Sequence, residues 1–216
     1  MERYHKLNKM SVPISELRTG DVLLFAATRG FITRLISRCT DSIYTHAAVV
    51  IRDPQFPNFT RKGVYMMEST TLDPIPDAED GIKKFGVQIH LLERVVKTYP
   101  GKVYVRKLHT IRNERFYERV NEFHRLVHNE PYDLNPLDWT EMALKKYYLD
   151  RHVKTEFICS ALVCFFLVVT NSLDPTTPWT LIRPVDLGQE AVKRYPLEFS
   201  HGVELEDTKE IIVSSE

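Results

Sequence analysis

Hydrophobic and polar positions change period several times along this chain of 216 residues, and each change marks an element. The turn-forming run Thr19-Gly20-Asp21 opens onto the apolar stretch 22–26, which predicts a strand. In 30–39, Phe31, Ile32, Leu35 and Ile36 fall at helical spacing. Residues 46–51 and 64–68 are apolar at nearly every position, so both are predicted as buried central strands, and two more strands are predicted at 87–92 and 102–108. The loop 70–84 is polar and contains proline, and loops of that length in compact domains often carry function.

Helical periodicity takes over in the second half. Phe116, Val120, Phe123 and Val127 step by four, three and four, which predicts an amphipathic helix over 111–128 with a charged outer face. Pro131 stops it, a loop carries Tyr132, and 136–147 reads as a helix with proline near its first turn. Residues 157–169 are apolar all round, which predicts a helix sunk in the core, because a bilayer span needs about 18–20 residues. One late strand is expected at 210–213. Strands first and helices last predict an α+β fold, with a lead-in at 1–14, one domain over 15–199 and a charged tail at 200–216.

Composition narrows the functional classes. Lys plus Arg and Asp plus Glu both number 29, so the chain lacks the broad field that a nucleic-acid or anionic-membrane binder uses, and no nucleic-acid partner is expected. The first ten residues contain no signal-type apolar run, and with no membrane span predicted, a cytoplasmic location is expected. Cysteines at 39, 159 and 164 form neither a disulfide framework nor a CxxC pair, so any special cysteine is a free thiol. Oligomeric state is not legible.

Three polar residues fall where polarity is costly: His46 opening a buried strand, Glu68 closing another, and Cys159 in the first turn of the apolar helix. A helix N-terminus lowers a thiol pKa, a nearby imidazole takes the proton, and a third polar group fixes the imidazole's orientation. Cys159, His46 and Glu68 supply those residue types. Each also has a bland reading, since cysteine is commonly core packing, a lone histidine is commonly structural, and Glu68 can face solvent at a strand end. Cys164 reads as packing and Cys39 as incidental.

Six segments in order, LRTGDVLLF (17–25), IYTHAAVVI (43–51), VYMMEST (64–70), PYDL (131–134), FICSALV (157–163) and RPVDL (183–187), resemble the circularly permuted NlpC/P60 branch of the papain-like thiol hydrolases. That branch includes bacterial lipoprotein-like members, a poxvirus group and relatives of lecithin retinol acyltransferase. Unpermuted members place the cysteine helix before the histidine strand, whereas here histidine comes first. The resemblance spans roughly residues 15–190 and implies a papain-like antiparallel sheet packed against the helix carrying Cys159. It implies Cys159 as nucleophile, His46 as base, Glu68 as the orienting acid and Tyr132 as an oxyanion donor beside the Cys159 N–H. Unpermuted members commonly have His or Asn where Glu68 stands.

The expected activity is a cysteine hydrolase or acyltransferase acting through a thioester, with a peptide, isopeptide or lipid-ester substrate and neither metal nor organic cofactor. The loop 70–84, directly after Glu68, is the expected lid. Two other readings stand beside it: a non-catalytic lipid- or peptide-binding module on the same fold, and a zinc site made of His46, Glu68 and Cys159. The histidines at 5, 90, 109, 124, 128 and 201 are expected on polar faces or in tails. His124 and His128 are spaced to hold a metal from one helix face, but with no third ligand evident they read as a solvated face.

Overall fold

A computed structural model describes residues 11–27, 43–70, 75–128, 158–189 and 197–213. The helices expected at 30–39 and 136–147, with Cys39 and Tyr132, lie outside the described residues. The chain folds around a seven-stranded sheet: β1 (Ser11–Pro13), β2 (Val22–Ala27), β3 (His46–Arg52), β6 (Val64–Thr70), β7 (Gly86–Leu91), β8 (Gly101–Arg106) and β11 (Lys209–Ile212). Its order is β1-β11-β8-β2-β3-β6-β7, so the strands carrying His46 and Glu68 are interior neighbours, as their unbroken apolar runs predict. Among the described residues the remaining strands are short: β4 (Gln55–Phe56) pairs with β5 (Phe59–Thr60), and β9 (Leu108–His109) with β10 (Glu204–Leu205).

Two expectations change here. The sheet is mixed rather than antiparallel, because β1 and β11 run parallel. The segments expected to flank the domain are also joined to it: Val12 is buried, and β11 lies between β1 and β8. With three residues and one buried side chain, β1 is too short for a period to show in sequence, whereas β11 falls where the late strand at 210–213 is expected.

Alternation along the strands feeds two cores. Leu24, Val49, Met67 and Ile89 face one way and meet α2 (Glu114–Val127) and α3 (Ile158–Val169). Leu23, Val50, Met66 and Val105 face the other way and meet Leu92 and Val95 of α1 (Leu92–Thr98). The apolar run expected to be a core helix is α3, with Val163, Phe166 and Leu167 fully buried, and no described helix is long and apolar enough to cross a membrane. Phe123 of α2 meets Phe166 edge-on at 5.2 Å, and truncating either ring to alanine should cost about 3–5 kcal/mol. The predicted α+β class therefore describes the chain.

Local knots fix the turn that feeds β2. Asp21 is buried and its carboxylate accepts from the N–H groups of Arg18 at 2.8 Å and Leu108 at 3.0 Å and from Arg112 at 3.1 Å. Gly20 adopts φ 96°, and a Cβ there would sit 3.0 Å from Leu108 Cδ2, which explains glycine at this corner. The RPVDL segment forms α4 (Pro184–Leu187), where Asp186 accepts from the Arg183 N–H at 3.0 Å and from its guanidinium at 2.8 and 2.9 Å.

Candidate active site

The site is built where β3 begins and α3 begins. In β3, His46 shares the parity of Ala48 and Val50, and Val50 pairs with Met66 of β6, so His46 and Glu68 point to the same face of adjacent strands. Diagonal neighbours of that kind are within reach of long side chains. His46 Nε2 meets Glu68 Oε2 in a short contact, with Glu68 buried and the His46 side chain 21% exposed. The same imidazole hydrogen-bonds the Cys159 thiol. Cys159 is half-buried in the first turn of α3, and backbone N–H groups of Ala47 and Ser160 donate to its sulfur.

Electrostatics follow from that arrangement. Burial opposes charge on Cys159, but the adjacent His46 charge, its hydrogen bond and the two backbone donors outweigh it, and the thiol is held below its ordinary 9.0. Burial likewise disfavours an imidazolium, yet the charges on Cys159 and Glu68 and their hydrogen bonds lift His46 well above 6.5. Both shifts run in the direction that favours a thiolate beside an imidazolium. Cys164 contrasts with it: burial, aided by Asp186, pushes its thiol upward into an inert state.

Several residues at this site escape the sequence reading. His90, expected on a polar face, is buried in β7 with Nε2 3.5 Å from Glu68 Oε1, so Glu68 has an imidazole on each oxygen. The alternation in GVQIHL, with Val87 and Ile89 facing the α3 core, was the available signal that His90 lies on Glu68's face. Phe25 packs at 5.4 Å against His46 and at 5.0 Å against Tyr99, whose hydroxyl hydrogen-bonds Thr45. Burial raises the Tyr99 hydroxyl pKa, partly offset by Thr45, and the nearby Glu68 charge raises it further. Ser160, which follows the cysteine, donates to the Ile182 carbonyl at 2.6 Å and anchors the helix start to the segment before RPVDL.

The zinc reading of His46, Glu68 and Cys159 receives no support from the clustering of ligand atoms among the described residues. Among the described residues, the set of His, Cys and acidic side chains whose ligand atoms all lie within 4.8 Å of one another is instead Glu79, His124 and His128. His124 is buried rather than solvated, and burial with the neighbouring His128 lowers its pKa against the pull of Glu79 and Asp77. Residues 75–84 of the expected lid are fastened in place: Asp77 accepts from the Ile89 N–H at 3.0 Å and pairs with Lys84, and the Ala78 N–H donates to the Ile89 carbonyl at 2.7 Å. No family model matches this chain, and no curated protein matches it in sequence.

Proposed function

We propose that the chain is a papain-like cysteine hydrolase or acyltransferase of the permuted NlpC/P60 kind. One observation carries the reading: His46 bridges the Cys159 thiol and the Glu68 carboxylate, with the thiol pKa lowered and the imidazole pKa raised. A buried ion pair of this kind is costly to assemble, and a structural cysteine does not require one.

The chemistry follows from the atoms present. The Cys159 thiolate attacks an amide or ester carbonyl carbon, the C–S bond forms, and the carbonyl π electrons move to oxygen. Collapse of the tetrahedral species expels the amine or alcohol, which takes its proton from the His46 imidazolium. Water or an acceptor alcohol or amine then attacks the thioester while His46 takes its proton, and the thiolate leaves. With Nε2 committed to Glu68, Nδ1 is the nitrogen available for these transfers. Glu68 holds the ring's orientation and balances its charge, and the helix start with its N–H groups favours the thiolate.

The substrate class we favour is a peptide, isopeptide or lipid ester, with acyl transfer to water or to an acceptor. Incubation with short- and long-chain p-nitrophenyl esters, followed by peptide mass mapping, should find the acyl group on Cys159. Absence of any acyl adduct there, together with alkylation by iodoacetamide no faster than a free thiol, would favour the non-catalytic binding module instead.

A further inference from the structure

Glu79 lies in the segment joining β6 to β7, and His124 and His128 lie one turn apart at the end of α2. Glu79 Oε2 is 3.0 Å from His124 Nε2 and 3.1 Å from His128 Nδ1, so both imidazoles address one oxygen. The Glu79 and His124 side chains are each 5% exposed, while His128 at 28% opens the cluster to solvent. Neither Glu79 Oε1 nor His124 Nδ1 has a hydrogen-bond partner although both are buried. The unpaired Oε1 belongs to the same buried carboxylate whose Oε2 the two imidazoles address, and a buried carboxylate short of donors is the type of group that a cation satisfies.

The ring of His124 is also held in orientation. It stacks on Phe56 with centroids 3.8 Å apart and planes 3° from parallel, which fixes the direction of Nε2. Two imidazoles and one carboxylate are borderline-soft ligands suited to zinc and its first-row neighbours. Metal–ligand bonds of about 2.0–2.1 Å in tetrahedral geometry put ligand atoms roughly 3.3 Å apart, close to the 3.0 and 3.1 Å from Glu79 Oε2 to the two imidazole nitrogens.

We propose that Glu79, His124 and His128 form a divalent transition-metal site, with Zn2+ as the favoured ion. Three protein ligands leave a fourth position for water on the His128 side. The bound ion fastens the segment after β6, the strand that carries Glu68, to α2. The site stands apart from the cysteine chemistry, because it shares no residue with Cys159, His46 or Glu68.

The test uses the full chain carrying Cys159→Ala, which removes the nucleophilic thiol as a competing ligand. Equilibrium dialysis against Zn2+ should give one ion per chain, and thermal melting should move upward with Zn2+ and stay unchanged with Mg2+. Adding Glu79→Gln or His128→Ala should weaken zinc binding by on the order of a hundredfold and abolish the melting shift. His128 is half-buried, so its variant keeps the test usable if Glu79→Gln impairs folding. Absence of stoichiometric zinc, or zinc binding that both variants leave intact, would overturn the assignment and reduce the cluster to ion pairs.

Discussion

His46 and His124 each contact a buried glutamate through Nε2, yet their pKa values move in opposite directions. Burial penalises the charged ring in both. His46 has a second neighbour in Cys159, and the charges on Cys159 and Glu68, with their hydrogen bonds, raise the ring's pKa. His124 has a second imidazole in His128, and that like-charged neighbour adds to burial against the pull of Glu79 and Asp77. On the proposed readings, the third member of each cluster decides its chemistry: a thiol turns the His–Glu pair into a proton store beside a nucleophile, and a second imidazole turns it into a converging ligand set. Geometry separates them too, since His46 bridges its partners whereas Glu79, His124 and His128 close on one another.

Breaking the first cluster at its centre should have the largest effect. His46→Ala removes the main favourable neighbour of the Cys159 thiolate and leaves burial opposing it. Iodoacetamide labelling of Cys159 near neutral pH should fall by up to about a hundredfold as the thiolate fraction drops, and its pH profile should move up toward the ordinary thiol value of 9.0. Unchanged labelling would mean that the backbone donors from Ala47 and Ser160 alone sustain the thiolate. The stability linkage carries the same signs. His46, raised in the folded state, contributes stability below about pH 6.5 that is lost as pH climbs through its higher folded value. Cys159, lowered in the folded state, contributes above about pH 9 and loses it as pH falls through its lower folded value.

Glu68→Gln is the gentler cut, because the amide keeps the shape and loses the charge. The thiolate remains as the larger anionic influence on His46, so the imidazolium should weaken without disappearing. The His46 ring titration, followed by NMR, should move down by about one pH unit or more, while Cys159 labelling persists with a smaller loss than in His46→Ala. A midpoint that stayed put would assign Glu68 a packing role and leave His90 to explain its burial.

What the sequence made legible divides along the same line. His46, Glu68 and Cys159 stood out because each interrupts an apolar run, and a polar residue in such a run carries a visible cost. The interior positions of β3 and β6 and the buried α3 were readable for the same reason, since long unbroken periods survive the absence of tertiary context. Glu79 lies in a polar loop where an acid costs nothing, so only the fold, by laying 75–84 against α2, brings it to His124 and His128. The charged residues around His124 likewise suggested a solvated face, although its ring is covered by Phe56 from a two-residue strand too short to register. Helix α1 was missed because seven residues with adjacent valines match a strand pattern as readily.

Phe56 allows the smallest and most selective cut between the two clusters. Its ring contributes to the core and also lies flat on His124, so Phe56→Leu keeps most of the apolar volume and removes the parallel face. Loss of the stack should cost roughly 0.5–1.5 kcal/mol of folding stability. Because Nε2 of His124 is aimed by that ring, Zn2+ affinity should fall by about tenfold, less than on deleting a ligand. His46 packs on Phe25 and takes no support from Phe56, so iodoacetamide labelling of Cys159 should be unchanged. A matched loss of zinc affinity and Cys159 reactivity would join the clusters through the segment after Glu68; a loss confined to zinc would establish them as separately built sites.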